Sequence, residues 1–158
     1  MLTAARSGEV RDATWDEIDL EAAEWVIPAA RMKMKRAHRV PLSRRAVEVL
    51  QQAQGLDEVL VFPGTRAGRP LSDMTLSKLV KEFGFAADLH GFRTSFRTWA
   101  QERTNFPREV AEFALAHVVG DAAERAYARS DLFVKRRKMI DAWAAFLAQE
   151  PGKVVRIG

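Results

Sequence analysis

Apolar residues in the first third of the chain come in short runs set between polar and proline positions. Trp15 with Ile18 to Leu20, Glu24 to Ile27, and His38 to Leu42 predict three short strands with tight connections. RMKMKRA, between the last two, reads as a basic turn. From Ser43 the spacing becomes helical: Ala46, Val47 and Leu50 share one stripe, which Gly55 ends. An apolar run from Val59 to Phe62 and the turn-rich PGTRAGRP lead to Ser72, a plausible N-cap. Leu76, Leu79, Val80 and Phe83 then recur at i, i+3, i+4 and i+7, the strongest amphipathic match in the chain. A helix starting near His90 turns Phe92, Phe96, Trp99 and Ala100 inward, and Pro107 opens another that carries Val110, Phe113, Ala114 and Leu115. A short helix around Tyr127 precedes a longer one striped by Met139, Ile140, Trp143, Phe146 and Leu147. Pro151-Gly152 breaks that helix ahead of the basic tail KVVRIG. These elements predict an α+β, mainly α-helical fold, with a small N-terminal antiparallel β-sheet followed by a helical bundle. One domain spans 1–150, and 151–158 form a C-terminal tail.

Composition changes this picture little. With 158 residues, 47% of them hydrophobic and 29% charged, the chain holds one domain with a substantial core. It has no cysteine, which excludes disulfides and thiolate metal sites and suits a reducing cytoplasm. MLTAARSGEVRD has no signal-peptide apolar stretch and no run reaches membrane-spanning length, so the expected location is cytoplasmic, with no membrane partner. The net charge of +4 is weak, but its distribution is not. Between Glu24 and Glu48 every charged residue is basic: Arg31, Lys33, Lys35, Arg36, Arg39, Arg44 and Arg45. Such a patch either attracts phosphates in a salt-dependent way or is a solvated loop face.

Candidate chemistry begins with Tyr127, the only tyrosine beside nine phenylalanines and four tryptophans. Its one extra oxygen is what phenylalanine lacks. In LHGFRTSFRTWA, His90, Arg93 and Arg97 fall at i, i+3 and i+7, on a face offset from Phe92, Phe96 and Trp99. They either aim at a ligand or are surface charge, with His90 standing near the helix start. His117, in ALAHVVGD, is a helix C-terminal partner, a partly buried spacer or a ligand. His38, His90 and His117 are widely scattered and no HExxH or Cys/His cluster accompanies them, so no metal is expected. No serine sits in a nucleophile elbow, and neither a phosphate-binding GxxxxGK loop nor GxGxxG occurs, which argues against a serine triad and a nucleotide-driven enzyme. No cofactor is called for. Two arginines, a lysine, two histidines and one tyrosine suit metal-free phosphoryl transfer: guanidiniums neutralise phosphate oxygens, an ammonium protonates a leaving alkoxide, and a phenol oxygen attacks.

The order and spacing of these residues resemble the catalytic domain of the tyrosine recombinase (phage integrase) family, nearly end to end, and look closest to integrases of prophages and genomic islands. TAARSGEVRDATWDEIDL resembles the first-arginine motif, which falls on Arg6 with Glu9 three positions on. WVIPAARMKMKRAHRVPLS is similar to the β-hairpin carrying the family's lysine, here Lys33, with Lys35 and Arg36 as neighbours that could take its place. LHGFR resembles the His-x-x-Arg motif, giving His90 and Arg93, and LAHVVGD resembles the motif supplying His117. Tyr127, ten residues later, stands where the family keeps its nucleophile. Ala4 and the LAH motif depart from the commoner glycines, and each is expected to be tolerated because alanine adds one methyl.

What the resemblance implies is site-specific DNA recombination and integration through a 3′-phosphotyrosyl intermediate, without ATP, metal or other cofactor. Arg6 and Arg93 would hold the non-bridging oxygens, with a hydrogen bond from His117. Lys33 would protonate the leaving 5′-oxygen, His90 would assist proton transfer at Tyr127, and Glu9 would orient its neighbours. Lys35, Arg36, Arg39 and Arg97 are the expected DNA-binding residues. The partner would be double-stranded DNA at attachment sites, bound by a homo-tetramer that exchanges C-terminal segments, the isolated chain being a monomer. Only five residues precede Arg6, where the family carries a further helix and upstream DNA-clamping domains, so an N-terminally truncated catalytic domain is expected. Two other readings fit the same residues: an inactive DNA-binding remnant, and a type IB topoisomerase-like relaxing enzyme.

Overall fold

The computed structural model describes residues 1–84, 89–117 and 130–149. Tyr127, the short helix expected around it and the 151–158 tail lie outside the described residues. Three antiparallel strands, β1 (Ile18–Asp19), β2 (Glu24–Ile27) and β3 (His38–Pro41), pair in the order β1-β2-β3. Trp25 lies opposite Val40 and Ile27 opposite His38. Buried Trp25 and Ile27 alternate with exposed Val26, the period of a strand with one face on the core. Trp15, expected in the first strand, instead opens a 3₁₀ turn, Trp15–Glu17. The cause is Glu17, whose buried carboxylate accepts the Trp25 indole N–H at 3.0 Å and pairs with Arg31. Those partners draw the segment inward and shorten the strand.

Six α-helices stand among the described residues: α1 (Ser7–Arg11), α2 (Arg44–Ala53), α3 (Asp73–Glu82), α4 (Gly91–Arg103), α5 (Arg108–Ala114) and α6 (Phe133–Leu147). The mainly helical α+β architecture is as the periodicity predicts. Two cores result. Trp25, Ile27, Val40, Leu42, Leu50 and Val61 pack between the sheet and α2, while Phe96, Trp99, Val110, Leu115, Met139, Ile140 and Trp143 pack among α4, α5 and α6. Trp99 and Trp143 stand 5.0 Å apart between ring centroids, and Phe96 meets Trp143 edge-on at 5.5 Å. Full burial of side chains this size contributes about 1.5–3 kcal/mol each. Ala4 belongs to the helical core and Ala13 to the sheet core, so the short helix α1 bridges the two.

The strongest amphipathic match forms its helix but not a core. Ser72 caps α3, its hydroxyl accepting the Thr75 N–H at 3.2 Å. Yet Leu79 and Phe83 are 43% and 70% exposed, and no α3 residue is buried. Arg11 holds the start of α3, donating to the Leu71 carbonyl and pairing with Asp73 at 2.5 Å, and from that anchor the helix projects. Periodicity reports that a helix has an apolar face; it does not supply the surface opposite.

Arg136, which the sequence pattern does not single out, is the largest fully buried side chain. Its Nε and Nη2 donate to the carbonyl and carboxylate of Asp131, both at 2.7 Å, and its Nη1 donates to the Arg39 carbonyl of β3 at 2.6 Å. One guanidinium thereby ties the start of α6 to the sheet. His38, beside it at the head of β3, has its pKa pushed down to about 4 by burial and then by the Arg136 charge, with Glu9 and a hydrogen bond to the Ala114 backbone opposing. A neutral folded histidine has a signed consequence. The unfolded chain takes up this proton as pH falls through the ordinary histidine range, while the folded chain does not, so stability falls between about pH 6.5 and pH 4. Urea titrations at both limits are expected to show a loss about 2–3 kcal/mol larger in the wild type than in His38→Gln, an equal loss in both overturning this account.

Candidate active site

The loop before α1, the turn after β2 and the first residues of α4 enclose an open cavity of about 500 Å³ lined by Arg6, Glu9, Asp12, Arg31, Lys33, His90 and Arg93, among others. Four cations face two carboxylates around that opening, a setting that favours an anion. Arg6 is the N-cap of α1. Glu9, at the third helical position, reaches back to accept the Arg6 backbone N–H at 2.8 Å and its Nη1 at 2.7 Å. That is the carboxylate half of a capping box, and here it also orients the Arg6 guanidinium. Glu9 is buried, and its carbonyl accepts from Arg31 Nη2. Arg31 in turn grips Glu17, so the basic turn is clamped to α1 just upstream of Lys33. Basic charge alone had placed Arg31 with its neighbours in one run; its role as the clamp needed the partners, which lie 14 and 22 residues away.

Arg93 sits in the first turn of α4 and is only 7% exposed. Its Nη1 donates to the Ala4 carbonyl and its Nη2 to the Leu115 carbonyl at 2.7 Å, fastening the N-terminal loop to the end of α5. Burial, and then repulsion from Arg6, lower its pKa while Glu9 opposes; as a guanidinium it remains charged. His90 stands exposed at the N-cap of α4 and makes no side-chain cap hydrogen bond there. His117 does not line the cavity but touches it through Arg93, with Nε2 3.4 Å from Arg93 Nη2.

The backbone that delivers His117 is a Schellman turn. The Ala116 N–H donates to the Phe113 carbonyl at 3.1 Å and the His117 N–H to the Glu112 carbonyl at 2.9 Å. Ala116 must then be left-handed, and its φ is +51°; Ala4, the other departure from glycine, has φ +52°. The expectation that one methyl is harmless at these positions is therefore corrected, because the left-handed backbone itself is costly for alanine, by about 1–2 kcal/mol. Ala116→Gly is expected to stabilise the protein by about 0.5–1 kcal/mol once glycine's greater unfolded-state freedom is deducted. Ala4→Gly gains nothing comparable, because its methyl is buried and worth about 0.8 kcal/mol. Chemical denaturation of both variants checks the pair, and an Ala116→Gly loss would contradict it.

Of the expected DNA contacts, Lys35 and Arg36 are exposed on the basic turn, Lys35 in a left-handed conformation. Arg39 instead forms a bidentate pair with Glu24, at 2.6 and 2.8 Å, and lies 4.1 Å over the Phe133 ring. Arg97 pairs with Glu112 at 2.9 Å. Glu112 was missed, although a carboxylate inside the apolar run VAEFALA was its signal. Among the described residues no cluster of potential metal ligands occurs.

A cationic cavity between a small sheet and a helical bundle, lined by arginines 87 residues apart in sequence (Arg6 and Arg93), defines a domain with a candidate anion site. Residues 1–132 match the phage integrase family, and the chain belongs to it. It is 40% identical to prophage integrase IntA of Escherichia coli (strain K12) over 98% of its own length and 39% of that protein. It is 36% identical to prophage integrase IntZ of the same strain, over 91% of the chain and 37% of the relative, and 33% identical to the integrase of Enterobacteria phage P4, over 99% and 40%. The chain thus spans about two fifths of the length of these relatives. No solved structure matches it significantly.

Proposed function

We propose that residues 1–150 form the catalytic domain of a site-specific DNA recombinase, which cuts and rejoins strands through a 3′-phosphotyrosyl intermediate. The observation that carries this reading is the convergence of Arg6, Lys33, His90 and Arg93 on one cavity, with His117 against Arg93. In the reaction the Tyr127 oxygen attacks the scissile phosphorus, the bond to the 5′-oxygen breaks, and the phosphodiester energy is kept in the tyrosyl ester. Arg6 and Arg93 hold the two non-bridging oxygens, where the charge grows in the transition state. Arg93 suits this because its guanidinium is already oriented by two backbone carbonyls and loses little freedom on binding. His117 adds a hydrogen bond to the same phosphate. Lys33 delivers a proton to the leaving 5′-oxygen, and the exposed His90 assists removal of the tyrosine proton. The freed 5′-hydroxyl of a partner strand reverses the sequence, so no metal, nucleotide or other cofactor enters. Lys35 and Arg36 extend the basic surface along the DNA backbone, in a homo-tetramer on two attachment sites.

The test is covalent capture. A pool of nicked duplexes, randomised around the nick so that the cut 5′ fragment diffuses away, is incubated with the chain, and protein–DNA adducts are resolved under denaturing conditions. A DNA-sized adduct whose sequences share a common site is expected. Salt-sensitive binding with no adduct would leave an inactive DNA-binding domain, and adducts without site preference, with relaxation of supercoiled plasmid, would mark a topoisomerase.

A further inference from the structure

The imidazole of His117 has two faces and different neighbours on each. Nδ1 lies 2.7 Å from Glu112 Oε2, and Nε2 lies 3.4 Å from Arg93 Nη2. Glu112 is buried at 8% exposure and its other oxygen, Oε1, accepts from Arg97 Nε at 2.9 Å, with Arg108 at 3.8 Å. Burial pushes its pKa up, but the hydrogen bonds and charges of His117 and Arg97 outweigh this and hold it below the usual carboxylate value. An ionised carboxylate only accepts, so the proton in the Glu112–His117 bond belongs to Nδ1. Nε2 of the neutral ring then carries a lone pair, which suits the Arg93 N–H beside it.

We propose that Glu112 is a positioning residue for the strand-transfer site, fixing the ring orientation of His117 through its Nδ1–H so that Nε2 accepts from Arg93 in the free site and, once protonated, donates to the phosphate that Arg93 holds. The inference rests on the recombinase reading above and adds to it a residue outside the cavity. Glu112 secures His117 twice, through its carboxylate and through its own carbonyl in the Schellman turn. The hydrogen bond on one imidazole nitrogen determines what the other can do. Arg97 acquires a role by the same geometry: it helps hold Glu112 in place across α4 and α5.

The experiment uses the full chain with ¹⁵N-labelled histidine. At about pH 8.5, where imidazole is ordinarily neutral, long-range ¹H–¹⁵N correlation spectra distinguish the two tautomers. His117 is expected in the Nδ1–H form in the wild type and to revert towards the commoner Nε2–H form in Glu112→Ala. Should that variant fail to fold, Glu112→Leu reads the same quantity, because it keeps the buried volume and offers no acceptor to Nδ1. Orthovanadate affinity supplies the functional arm: Glu112→Ala is expected to weaken it about tenfold, the size that outer-shell partners of histidine usually carry. In a His117→Ala background the same change is expected to cost nothing further. A wild-type His117 in the Nε2–H form, or costs of the two substitutions that simply multiply, overturns the proposal. If tautomer and vanadate cycle behave as stated while no DNA is captured, the positioning role stands and the recombinase reading falls. Capture of DNA with the wrong tautomer overturns only the positioning role.

Discussion

A chain carrying Tyr127→Phe is expected to bind DNA with the salt dependence of the wild type and to form no covalent adduct with any nicked duplex. The two side chains differ by one oxygen, so shape and apolar surface are kept while the proposed nucleophile is lost. Phosphate binding is assigned to Arg6, Arg93 and the basic turn, all of which the variant retains unchanged. Covalent yield and affinity should therefore separate cleanly, with yield at background and the slope of log affinity against log salt unchanged. Equal yields from the two proteins would remove Tyr127 from the chemistry, and lost binding would show instead a structural use of its hydroxyl. The experiment is decisive because the chain holds no second tyrosine to substitute.

Arg136→Ala should produce the largest stability loss of any substitution distant from the cavity. The guanidinium is 1% exposed and satisfies the Arg39 carbonyl, the Asp131 carbonyl and the Asp131 carboxylate. Truncation strands the two backbone acceptors, removes the main partner of a partly exposed Asp131 carboxylate and opens a hole, a combination that costs about 2–4 kcal/mol. Arg136→Met, which fills the volume but leaves the acceptors alone, should lie between alanine and wild type. Urea unfolding followed by tryptophan fluorescence reads both, since Trp143 lies in the aromatic cluster on the same helix. A loss below about 1 kcal/mol for alanine would mean that water replaces the guanidinium without penalty. Asp131 lies four residues after Tyr127 in the sequence.

Local periodicity made most of the fold legible. The strands at 24–27 and 38–41, the helix that follows Ser43, the Ser72 cap and the helices beginning near His90 and Pro107 all follow from nearest-neighbour chemistry, and they stand where that chemistry puts them. What escaped was set by partners distant in sequence. The 3₁₀ turn at Trp15 is decided by Glu17 meeting Trp25 and Arg31, and the exposure of the α3 stripe by an absent facing surface among the described residues. The site divides in the same way. Arg6, Lys33, His90 and Arg93 were visible as motifs in order, but that Arg93 is nearly buried and fastens two segments is a property of the assembled chain. Arg39 and Arg97 looked like free cations because nothing in a linear charge count shows Glu24 or Glu112 opposite them.

The Schellman turn also makes α5 a ruler. Glu112 and His117 meet because five residues of chain, one helical turn and its left-handed exit, separate them. Removing or adding one residue in that stretch would swing the imidazole about 100° around the helix axis and carry it off Arg93 altogether. The extended stretch at 104–107 ahead of α5 is under no such constraint of phase. Length variation within this domain should therefore be confined to such connections, while the count from Glu112 to His117 stays invariant wherever the site works.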